Sequence, residues 1–144
     1  YTTLFRSDLC DSLKIRLILE PALVKSAIDL MTEDEFEKIC YYEEQCRISA
    51  SNLENFYEYD AKFHEALAAA SHNKIFEQLT PLLHQSITII SHSIKDESVI
   101  QAFRENAVVY HEKIKNAIKN KDYVGAEVYS KIHVYNAMKI MNLK

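Results

Sequence analysis

Glycine is almost missing from this sequence: Gly125 stands alone among 144 residues, and proline occurs only as Pro21 and Pro81. Tight turns between strands draw heavily on these two residue types, so a many-stranded sheet has little from which to build its corners, and helices are expected instead. There are three cysteines, Cys10, Cys40 and Cys46. An odd number with no C-x-x-C pair argues against a disulfide framework or a thiolate zinc knuckle, and it fits a reducing, cytoplasmic setting. No apolar run approaches the ~20 residues of a membrane span, and residues 1–6 lack the charged start and apolar core of a signal peptide. Basic charge is also short, 17 Lys+Arg against 21 Asp+Glu for a net charge of −4. That balance offers no electrostatic footprint for a nucleic acid backbone. The first residue is not Met, so the chain reads as a piece of something longer.

What is present is a globular balance, 48% hydrophobic and 26% charged, expected to form one packed domain over residues 1–144. Helical spacing runs through Leu9, Leu13, Leu17, Leu23 and Ala27, with a kink or break expected at Pro21. Thr32 and Glu35 form a capping box for a second helix. The run Ser51-Asn52-Leu53-Glu54 opens a third, to about Ser71. Asn73 can cap a fourth, whose apolar face runs through Ile75, Phe76, Leu79, Leu83, Ile87 and Ile90. Ser98 to Gln101 resembles a weak capping box for a fifth, and Asp122 can cap the last. Six helical segments joined by short connections predict an all-α antiparallel bundle.

The third helix carries the chemistry. Leu53, Phe56, Tyr57, Asp60, Phe63, His64 and Leu67 follow one inward stripe, and that stripe contains a carboxylate and an imidazole one turn apart. A carboxylate buried without a partner costs several kcal/mol, so something must neutralise Asp60. His111 shares its face with Phe103, Ala107, Ile114 and Ile118; His133 lies one or two turns from Ala126, Tyr129, Ala137 and Ile140. Three helices therefore aim one carboxylate and three imidazoles inward, a donor set suited to one divalent transition metal, Zn, Ni or Mn foremost. The competing account is a set of core imidazoles satisfied by hydrogen bonds, with Asp60 paired to Arg16 or Arg104. His84 falls beside Glu77, Thr80 and Thr88, and His92 beside Thr88, Gln85 and Lys95; both are expected at the surface, and His72 in a turn.

The segment Arg16-Leu17-Ile18-Leu19-Glu20-Pro21 resembles the R-x-x-L-E-P opening of the C-terminal FCD domains of GntR-type transcriptional regulators. Asp60-Ala61-Lys62-Phe63-His64 is similar to their D-x-x-F-H motif, and His111 to Ile118 to their H-x-x-I-x-x-A-I, followed by Asp122, Ala126 and His133. The likeness extends from about Leu9 to Met141; Tyr110 departs from it where an acidic residue is common. It implies a bundle of six or seven helices around a central pocket. It also implies a metal on Asp60, His64, His111 and His133 and a small carboxylate effector at the open coordination positions. Arg16, and more weakly Arg104, are candidates to hold the effector's carboxylate. A cytoplasmic homodimer is expected, touching DNA through an N-terminal winged-helix domain not contained in this chain.

Two other classes remain open at this level. A di-iron enzyme needs Glu-x-x-His twice, and no His here has Glu three positions before it. A mononuclear metalloenzyme needs a general base beside the metal, and the three ligand helices show no spare inward acid. A structural or dimerisation module, stapled by its metal, is the other.

Overall fold

The computed structural model describes residues 2–49 and 51–143, with side chains from residue 6 onward. Six helices follow one another: α1 (Thr2–Leu30), α2 (Glu33–Ile48), α3 (Leu53–Ala70), α4 (Lys74–Ser91), α5 (Glu97–Lys119) and α6 (Tyr123–Ile140). Among the described residues there is no strand. The all-α bundle is as expected. α1 packs against α4 and α6, α5 against α6, and α3 against both α2 and α4.

Each helix after the first starts at a side chain able to accept the orphan N–H groups of a first turn. The Thr32 hydroxyl accepts from Glu35 N–H at 3.3 Å while Glu35 Oε2 accepts from Thr32 N–H at 2.8 Å, completing the box. Asn73 and Asp122 cap as expected. At two starts the cap is a neighbouring residue: Asn52 rather than Ser51 for α3, and Asp96, two residues ahead of Ser98, for α5. Ser98 N–H itself donates to Asp96 Oδ1 at 3.0 Å, which places Ser98 inside the first turn of α5.

The expected break at Pro21 does not occur. α1 continues unbroken through it. Proline removes one N–H and one backbone bond, and burial of Leu9, Leu13, Leu23, Val24 and Ala27 along the same helix outweighs that loss.

Two apolar layers fill the bundle. One holds Leu9, Leu13, Phe56, Tyr57, Phe103, Ala107 and Val134; the other holds Leu23, Val24, Ile39, Phe63, Leu67, Ile114 and Ala126. The sequence order on each helix places a polar residue where it crosses from one layer to the other: Arg16 and Glu20 on α1, Asp60 and His64 on α3, His111 on α5, His133 on α6. α4 adds His84. All seven side chains are buried.

Candidate metal centre

Three imidazole nitrogens meet at the centre of this polar layer. His64 Nε2 lies 3.2 Å from His111 Nε2 and 3.3 Å from His133 Nε2, and Asp60 Oδ1 lies 3.4 Å from His111 Nε2. Phe63, stacked on His111 with ring centroids 3.9 Å apart, holds that ring in place. The four residues named from the sequence are thus brought together, one donor atom each within 4.8 Å of the others.

Hydrogen bonding does not account for the arrangement. Asp60 Oδ1 and His111 Nδ1 are buried without a hydrogen-bond partner. Two facing ring nitrogens share at most one proton, and here charging the rings is disfavoured. Burial, with the neighbouring charges of His84 and Arg16, holds His64 well below the usual imidazole range. Burial, with His133 and Arg16, does the same for His111. His133 falls to about 3, chiefly through burial, with Glu20 opposing. Asp60 is pushed up to about 7, again by burial first, with Arg16 opposing and Glu20 adding.

A buried carboxyl beside three imidazoles that burial keeps uncharged is a donor set suited to a divalent transition metal. Ligand atoms about 2.0–2.2 Å from one ion stand roughly 3.0–3.5 Å from each other, as the His64–His111, His64–His133 and His111–Asp60 atoms do. The residues present therefore fit a single divalent transition metal.

Around this set lies a second group of partners. Asn106 on α5 places its Nδ2 3.2 Å from His133 Nδ1 and 3.0 Å from the His133 carbonyl oxygen, while its Oδ1 has no partner. The bond to the carbonyl fixes the amide behind the His133 ring. Arg16, 2% exposed, donates from Nε to Glu20 Oε1 at 2.5 Å and places Nη2 3.4 Å from His64 Nε2. Glu20 Oε2 lies 3.4 Å from His64 Nδ1. Burial alone would push the Glu20 carboxyl up, but the Arg16 charge, with His84 Nε2 3.7 Å away and the hydrogen bond from Arg16, holds it at about 2.

Two residues depart from the sequence reading. His84, expected at the surface, is 3% exposed, with Nε2 3.7 Å from Glu20 Oε1. Its face is inward because Thr80 and Ser91, which read as polar, return their hydroxyls to the Phe76 and Thr88 carbonyls of their own helix and pack as small groups. His72 and His92 are exposed as expected. Arg104 is placed away from the centre, donating from Nη2 to Glu97 Oε1 at 3.0 Å and lining a surface groove with Arg47, Gln101 and Val108. Seven residues before His111 means about 10.5 Å of helix rise, and a shared face does not shorten that distance.

Residues 11–136 match the FCD domain. The chain belongs to the FCD domain family. A helix-turn-helix-type transcriptional regulator of Bacillus subtilis (strain 168), YcbG, is 26% identical over 133 residues, which is 92% of this chain and 52% of the relative. The solved structure of Streptococcus agalactiae GntR superposes with a TM-score of 0.77 at 23% identity, covering 94% of this chain and 60% of that one. This chain thus has the fold of a GntR regulator's FCD domain and spans about half the length of the curated relative it matches. No helix among the described residues is long and apolar enough to cross a membrane.

Proposed function

We propose that this FCD domain is the sensor of a GntR-type transcriptional regulator. In this reading it holds a divalent transition metal, Zn, Ni or Mn, on Asp60, His64, His111 and His133 and responds to a small carboxylate. The observation that carries this reading is the convergence of those four donors, with buried polar atoms left unpaired. When bound, the metal supplies a Lewis acid that an effector carboxylate can ligate. Arg16, with Nη2 already directed at His64, supplies the matching guanidinium on the α1 side. Nothing in this division of labour requires a base or a nucleophile, so the role is binding and not turnover.

The seam beside Arg16, Glu20 and His84 is closed by Leu19, Leu23, Phe76 and Leu83, with room for no more than about one water. An effector admitted by this seam must part α1 from α4, and binding then favours a displaced α1. The outer face of the same two helices exposes Ile15 and Ile18 on α1 and Ile75, Leu82 and Ile89 on α4. A second copy of the chain is its partner in this reading. A helix-turn-helix regulator reads paired half-sites with two heads, and an isologous apolar face supplies the symmetry. DNA contact belongs to a domain preceding this one, and a change in α1 alters the spacing of the heads.

The test combines elemental analysis with thermal unfolding. About one transition metal per chain is expected, and acetate, malate or citrate should raise the melting temperature only of the metal-loaded domain. Failure to take up metal after incubation with Zn, Ni and Mn would remove the basis of the proposal. For the dimer, the pair Ile18→Lys and Leu82→Lys should convert the particle to a monomer in sedimentation experiments at tens of micromolar. An unchanged mass rules out this face.

A further inference from the structure

His64 differs from the other two histidines of the centre in what stands behind it. His111 Nδ1 has no partner and His133 Nδ1 faces an amide, whereas His64 Nδ1 faces a carboxylate oxygen of Glu20 at 3.4 Å. A neutral imidazole carries its proton on one nitrogen only. If that proton sits on Nε2, the nitrogen that meets His111 and His133 cannot ligate; if it sits on Nδ1, Nε2 offers a lone pair.

We propose that Glu20 is a positioning residue: it holds the His64 proton on Nδ1 and so turns the Nε2 lone pair toward Asp60, His111 and His133. This deepens the metal-centre reading and rests on it for its purpose, though not for its geometry. Three features of the surroundings make Glu20 suited to the task. It is buried, so bulk water has little access to Nδ1–H. Its other oxygen is tied to Arg16 Nε, from the same helix one turn earlier, which fixes the carboxylate plane. Its other oxygen also has His84 Nε2 nearby, at 3.7 Å. The 3.4 Å separation is longer than a finished hydrogen bond, and a small rotation of the His64 ring closes it.

The arrangement also gives α1 a stake in the centre, although none of the four candidate ligands is on that helix. His64 is the donor the other two rings approach, and its orientation is set from α1. Any shift of α1 that withdraws Glu20 loosens the hold on that ring, and occupancy of the centre in turn restrains α1.

Two measurements on one variant test this. Long-range 15N–1H correlation spectra of the metal-free domain should show His64 as the Nδ1–H tautomer. In Glu20→Gln, whose amide can either accept from Nδ1–H or donate to Nδ1, that preference should be lost. Zinc affinity, measured by competition with a chelator, should fall by about 10- to 100-fold in the same variant. Arg16→Met alone should keep the Nδ1–H tautomer. If Glu20→Gln does not fold, the pair Arg16→Met with Glu20→Met, which leaves no unpaired buried charge, carries the same expectation. A wild-type His64 protonated on Nε2, or zinc bound equally tightly without Glu20, overturns the proposal. Absence of zinc binding in the wild type overturns the metal reading instead, and the tautomer comparison then still decides whether Glu20 controls His64.

Discussion

His64→Ala should leave a folded domain that no longer takes up metal. His64 Nε2 is the atom toward which His111 and His133 both point, at 3.2 and 3.3 Å. Removing it breaks the set in the middle, leaving Asp60, His111 and His133 without their common neighbour. Loss of an orienting partner behind a ligand already weakens metal binding by about 10- to 100-fold, and loss of a ligand should exceed that. A ligand present at about a thousand times its dissociation constant stabilises the native state by roughly 4 kcal/mol. For a chain of this length that corresponds to about 10 °C in melting temperature. The wild type should show that increment on adding zinc or nickel and the variant should not. The metal-free variant should itself lose only a few degrees. The cavity left by a buried ring is destabilising, but the ring removed was also an uncharged imidazole crowded by Arg16 and three other imidazoles. Elemental analysis returning one equivalent of metal for His64→Ala would assign the four donors a purely structural role.

The donors on α3, α5 and α6 were legible because each interrupts an apolar stripe at helical spacing, and a polar residue on such a stripe has few other places to go. The same test, applied to α1, would have found the rest. Leu9, Leu13, Arg16, Glu20, Leu23 and Ala27 are spaced by four, three, four, three and four residues, so Arg16 and Glu20 stand on the buried line as plainly as Asp60 and His64 do on theirs. Glu20 is obscured in the sequence by Leu17 and Leu19, half-buried neighbours that draw the apolar pattern to one side of the buried line. α4 misled for the opposite reason. Its outward face carries Ile75, Leu82 and Ile89, all exposed, so apolar content there pointed away from the core. Thr80, His84, Ile87 and Ser91 repeat at four, three and four residues and are all buried. Hydroxyls that satisfy themselves on their own helix pack like small apolar groups, and that is the local signal that would have turned His84 inward. Arg104 failed on distance along the axis, which a projection of faces does not contain.

Arg16→Met should be among the most destabilising single changes in the domain, by about 3–5 kcal/mol, because it strands a buried carboxylate. Arg16 and Glu20 are 2% and 6% exposed and joined at 2.5 Å. Burial works against the Glu20 charge, and the Arg16 guanidinium is the largest influence opposing it. Without that cation, burial prevails and the Glu20 carboxyl rises from about 2 toward and above its ordinary value. The sign of the pH effect follows. Once the folded-state value exceeds the unfolded one, the native state binds the proton more tightly, and the variant's deficit should be largest near neutrality and shrink as the solution is acidified toward pH 4–5. Glu20→Met added to Arg16→Met should recover most of the loss even at pH 7, since the pair is then replaced by two flexible apolar side chains of similar length. Denaturant titrations of the wild type, both single variants and the double variant would complete the cycle. Additive losses would mean that the two residues stabilise the fold independently. The same variant separates structure from sensing. Arg16 is not among the four donors, so Arg16→Met should retain metal, yet acetate, malate or citrate should no longer raise its melting temperature. A carboxylate response that survives without Arg16 would place recognition of the effector elsewhere, with His84 on the opposite wall of the seam as the group to replace next.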